Sequence, residues 1–113
     1  MRFFLSENNK PSIEVDEKLR VVSDFLQGDV QGSLSCANEY LAACNAVKEE
    51  KITAWQGTGN AHTVIIKNKT VNVFNEFSEE EIIISFDEFV SYLEAWKSLL
   101  LKREAKITNG ESL

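Results

Sequence analysis

The chain has 113 residues, 43% hydrophobic and 27% charged, with eighteen acidic side chains against twelve basic ones and a net charge of −6. That composition supplies one globular core and leaves no material for a second. The acidic balance argues against direct nucleic-acid binding, which needs a basic face, and suits a basic protein partner.

Arg2 to Ser6 is rich in Phe and Leu, Asn8-Asn9-Lys10-Pro11 is a turn signal, and Ser12 to Asp16 alternates polar and apolar. Together they predict an N-terminal β-hairpin. The opening apolar run stops at Ser6, too short for a signal peptide's hydrophobic region, and no stretch reaches bilayer-spanning length. A cytoplasmic location is the expectation.

Leu19, Val22, Phe25 and Leu26 fit a short helix within Glu17–Gln27, with a turn bracketed by Gly28 and Gly32. Ser33 to Glu50 is a longer helix: Leu34, Ala37, Leu41, Cys44 and Val47 share one face, and Ser33 suits the N-cap. Cys36 and Cys44 both lie on it. Eight helical residues rise roughly 12 Å, too far for a disulfide, so both thiols are expected reduced.

Ile52 to Trp55 is a candidate strand, followed by a loop over Gln56-Gly57-Thr58-Gly59-Asn60. Ala61–Lys67 and Thr70–Glu76 predict a hairpin turning at Asn68-Lys69, and Ile82-Ile83-Ile84 a further strand. Ser85 and Glu88 form a capping-box pattern that opens a last helix. Its apolar stripe runs through Phe86, Phe89, Val90, Leu93, Trp96 and Leu100. Residues 107–113 are expected to be a flexible tail after a single domain over 1–106. The order predicts an α+β fold: an antiparallel sheet, made of the N-terminal hairpin and the later meander, with two or three helices packed on one face.

Three patterns with chemical potential each have a plainer explanation. A Cys44–His62 dyad is formally possible, but Cys44 sits on an apolar helical stripe. One His and two separated Cys lack zinc-ligand spacing, and Glu79-Glu80-Glu81 on one loop suits water as well as a cation. Gly57-Thr58-Gly59 lacks the Lys-Ser/Thr of a phosphate loop and does not open a helix. No catalytic residue, metal or cofactor is expected.

Charge distribution says more. No Lys or Arg occurs from Thr70 through Trp96, a stretch that holds Glu76, Glu79, Glu80, Glu81, Asp87, Glu88 and Glu94. Acids at a helix start also favour the helix dipole, and a solvated face explains the rest. As a functional surface, Glu76, Glu79, Glu80, Glu81, Asp87 and Glu88 would share one end of the domain and dock a basic partner. An exposed aromatic among Phe74, Phe77 and Tyr92 would anchor it, with Phe77 placed in the acidic run.

Trp55-Gln56-Gly57-Thr58-Gly59-Asn60-Ala61-His62-Thr63-Val64, then Val71-Asn72-Val73, then Phe86-Asp87-Glu88-Phe89 to Trp96, resembles YacL-like small proteins and immunity proteins of bacterial contact-dependent growth inhibition systems. The resemblance implies a non-catalytic inhibitor that binds a toxin domain, often a nuclease with a basic substrate surface. It assigns no contact residues. The alternative is an intracellular housekeeping or regulatory protein-binding module of the YacL-like type; an enzyme is the third reading.

Overall fold

Two short strands, β1 (Arg2–Leu5) and β2 (Pro11–Glu14), pair antiparallel around Phe3↔Ile13 in a computed structural model that describes residues 1–108. This hairpin forms its own two-stranded sheet instead of joining the later strands. It packs against the last helix, where Phe3 meets the Trp96 ring edge-on at 6.4 Å.

A 3-10 turn (Glu17–Leu19) leads into α1 (Arg20–Phe25) and then a wider π-turn (Leu26–Val30). The helical path therefore continues through Gly28, past the break expected there. It ends at Gln31, whose N–H closes on Leu26 O at 2.8 Å and whose backbone takes φ 54°, ψ −141°. Helix α2 (Leu34–Lys48) starts on Ser33, whose Oγ accepts the Cys36 N–H at 3.0 Å, the cap that the sequence indicates.

Strands β3 (Ala54–Thr58), β4 (His62–Lys67), β5 (Thr70–Asn75) and β6 (Glu81–Ser85) follow as an antiparallel meander in the order β3-β4-β5-β6. Strand β3 covers Gln56, Gly57 and Thr58, which the sequence suggested as loop. The reason is local: the Trp55 indole folds back over Gly57, where any Cβ would collide with the ring. A glycine that weakens a strand in isolation is here the space that a tryptophan needs.

Period-two alternation decides which face is buried. His62, Val64, Ile66, Val71, Val73 and Ile84 point inward, while Lys67, Glu81, Ile83 and Ser85 stay exposed. Helices α1, α2 and the last helix all pack on the sheet, the α+β arrangement that the element order predicts.

Helix α3 (Phe86–Thr108) is the longest element. Ser85 Oγ accepts the Glu88 N–H at 3.1 Å, half of the expected capping box. The Glu88 carboxylate instead accepts a hydrogen bond from Tyr92 O–H at 3.4 Å. Ile107 and Thr108 are helical, beyond the expected boundary at 106, because the helix continues without a glycine or proline to stop it. The rest of the expected tail, 109–113, lies outside the described residues.

Trp96, Phe25, Phe89, Leu26, Leu93 and Val22 are essentially fully buried at the centre. The Trp96 indole N–H donates to Gln31 O at 2.8 Å, so the largest core side chain leaves no buried donor unmet. Among the described residues, no helix is long and apolar enough to cross a membrane.

Candidate partner-binding surface

Residues 76–80 connect β5 to β6, and their backbone is pinned from inside. Asn75 Oδ1 accepts the N–H groups of Phe77 at 2.9 Å and Ser78 at 3.0 Å. Asn75 O accepts Glu79 N–H at 2.8 Å, and Asn75 N–H donates to Glu80 O at 2.8 Å. An asparagine side chain that accepts from the amides two and three residues on is a turn device that needs no neighbouring element. Glu79 completes the turn with φ 63°.

This loop carries Phe77 outward. Phe77 is 80% exposed, the most open large hydrophobic among the described residues. Four acids surround it in sequence. Glu76 accepts from Thr63 Oγ1 at 3.1 Å, and its N–H donates to Ala61 O at 2.8 Å. Glu79 and Glu81 face solvent. Glu80 is not free: it is paired with Arg20, which also meets Glu17 at 2.9 Å and Asp24 at 3.6 Å. Glu17 and Glu80 hold the Arg20 guanidinium above its ordinary pKa. Arg20 thus has three acidic neighbours, and the surface around it stays acidic.

The structure divides the expected acidic cluster. Glu76, Glu79, Glu80 and Glu81 gather at the β5–β6 turn. Asp87 and Glu88 lie past the other end of β6, roughly 14 Å away at four strand steps. There Phe86 N–H donates to Lys69 O at 3.0 Å, which sets those two acids beside the lysine-bearing β4–β5 turn. Both groups flank the same strand in sequence, and a strand carries its two flanks to opposite ends of a sheet.

From the Phe77 turn, exposed and half-buried side chains continue onto the outer face of the meander. Phe74 sits across from Glu81, and Ile83, 59% exposed, sits across from Asn72. The two outward side chains Phe74 and Ile83 extend the apolar area beyond Phe77. Tyr92, the third candidate anchor, belongs to α3 and is half-buried beside Glu88.

The other candidates resolve differently. Cys44 is buried, which pushes its thiol pKa up to about 12, and burial also raises that of Cys36. Thiols so shifted are poor nucleophiles. His62 bonds elsewhere: its Nδ1–H donates to Asp29 Oδ1 at 3.0 Å, with side chains only 3% and 1% exposed. Its Nε2 is buried with no hydrogen-bond partner among the described residues, and the ring rests against Phe25 at 6.0 Å. The Asp29 carboxylate also accepts the N–H groups of His62 at 2.9 Å and Ala61 at 3.2 Å. Aspartate and histidine in this arrangement stitch a strand entry to a helical turn. Sequence reasoning missed Asp29, because a lone acid between two glycines reads as a turn residue. Gly59 carries the signal in retrospect, since a Cβ there would lie 2.5 Å from Asp29 Oδ2. Among the described residues, no group of three or more His, Cys, Asp or Glu is placed to hold a metal ion.

No family model, curated protein or solved structure matches the chain. The functional reading therefore rests on fold and surface.

Proposed function

We infer that the chain is a protein-binding module that docks a basic protein partner through its β5–β6 end. In its specific form, the chain is an immunity protein that neutralises a bacterial toxin domain, a nuclease with a cationic substrate surface. The observation that carries this reading is Phe77, 80% exposed on a loop fixed by Asn75 and flanked by Glu76, Glu79 and Glu81. A rigid aromatic anchor costs little ordering entropy on binding. Acids around it attract and orient a cationic partner and speed encounter.

The reading is tested by co-expressing the tagged chain with the polypeptide encoded beside its gene, then washing at low and high salt. Capture of a basic nuclease domain, with growth restored in cells that express that domain, is the expected result. An expressed, folded neighbour that is neither captured nor neutralised removes the toxin reading.

A further inference from the structure

We propose that the cleft between the β1–β2 turn, the π-turn and α3 binds a small oxyanion ligand, a carboxylate or a phosphate, through Arg103 and Lys10. The cleft has a volume of about 370 Å³ and is lined by Asn8, Lys10, Gln27, Gln31, Trp96 and Arg103 among others. Among the described residues that line it, the two ionisable groups are both cations, in a chain of net charge −6. Among the described residues, no carboxylate lines it.

Arg103 is half-buried and makes no ion pair or hydrogen bond among the described residues. The other two arginines both meet carboxylates: Arg2 pairs with Glu14 at 3.0 Å, and Arg20 with Glu17, Asp24 and Glu80. A guanidinium held partly out of water without a counter-charge is a recognition group waiting for one. Its planar fork matches the two oxygens of a carboxylate or phosphate. Gly32 lets it lie close to the backbone, since a Cβ there would stand 3.0 Å from Arg103 Nη1. Lys106 adds positive charge nearby, its Nζ 3.5 Å from Asn9 Oδ1.

The floor of the cleft is preorganised. Trp96 is locked to Gln31 O at 2.8 Å, Gln31 Nε2 to Gly28 O at 2.6 Å, and Gln27 Nε2 to Ser23 Oγ at 2.9 Å. Gln31 holds a backbone conformation that favours glycine, a strain that persists where surrounding bonds fix it. Little has to be ordered when a ligand arrives. This site is cationic and involves none of the β5–β6 acids, so it stands or falls apart from the protein-docking reading.

The test is a titration of isotope-labelled protein with inorganic phosphate and, separately, with succinate, at ionic strength held constant with sodium chloride. The Trp96 indole N–H and the Gly32 amide are the reporters. The expected result is saturable movement of both signals with at least one probe, weakened about tenfold or more in Arg103→Gln. Saturation by phosphate alone assigns a phosphate ligand, and by succinate alone a carboxylate. Arg103→Lys, which keeps the charge but loses the fork, should show an intermediate loss, and its unfolding midpoint checks that the fold is intact. Non-saturating shifts with both probes to about 10 mM, below the range of useful specific affinity, would overturn the proposal. So would equal affinity in wild type and Arg103→Gln.

Discussion

Asp29 and His62 meet as a buried carboxylate–imidazole pair, 3.0 Å from Oδ1 to Nδ1, across 33 residues of chain. The same carboxylate takes the N–H groups of Ala61 and His62, so one side chain closes the entry to β4 against the π-turn. Removing it strands two backbone donors and a ring N–H in the interior. Asp29→Ala should therefore cost about 3 kcal/mol, in the range for breaking a buried polar network. Asp29→Asn, which keeps one acceptor oxygen, should cost less. Urea unfolding of the two variants checks this order; an unchanged midpoint for Asp29→Ala would show that the pair contributes nothing.

Gly57 makes room for the Trp55 indole, which stacks edge-on against Tyr40 at 5.4 Å. Gly57→Ala forces that ring off its site, at about 1–3 kcal/mol for an overpacked position. The tryptophan emission should shift at the same time, because Trp55 loses its place beside Tyr40. A variant with wild-type stability and emission would mean that the ring does not need the glycine.

Gln31 gives a change of opposite sign. At φ 54°, ψ −141° the backbone sits where glycine is at ease and other residues are strained. Its side chain returns only one exposed hydrogen bond, to Gly28 O. Gln31→Gly should stabilise the fold by about 1 kcal/mol, read as a higher urea midpoint. A lower midpoint would show that the side-chain bond outweighs the strain.

Alkaline pH should weaken the protein. Burial pushes the Cys44 thiol up to about 12. Tyr40 also rises to about 12, through burial first and then the neighbouring Cys36, Asp29 and Glu39. Both groups are neutral when protonated, and both bind the proton more tightly folded than unfolded. Their contribution is complete below the unfolded-state values and is lost as pH climbs through the folded ones. The urea midpoint should fall from about pH 8.5, the ordinary thiol value, upward. Cys44→Ala should make that fall shallower. A midpoint level across this window in the wild type would contradict the burial of both groups.

Elements with a strong period were legible in the sequence. The α3 stripe from Phe86 to Leu100, the Ser33 cap and the alternation of His62, Val64 and Ile66 all lie where their spacing puts them. Features set by particular side-chain and backbone contacts were not. Gly57 sits in β3 beside the Trp55 ring two residues earlier, the helical path crosses Gly28 because Gln31 closes a wider turn, and Asp29 matters because of His62, 33 residues away. The surface was half legible. Phe77 and its neighbouring glutamates stand together as expected. Asp87 and Glu88 are adjacent in composition only, since β6 separates them by its own length.

That separation gives the docking account an internal control. The most direct measurement is the affinity of the basic polypeptide encoded beside the gene for four forms: wild type, Phe77→Ala, Glu79→Lys/Glu81→Lys, and Asp87→Lys/Glu88→Lys. Phe77→Ala should lose about 2 kcal/mol, the size of an interface hot spot. Glu79→Lys/Glu81→Lys should slow association and flatten its salt dependence, and the distant Asp87→Lys/Glu88→Lys pair should bind almost as wild type. Equal affinity across all four forms, or a loss confined to the Asp87→Lys/Glu88→Lys variant, would contradict docking through the β5–β6 end.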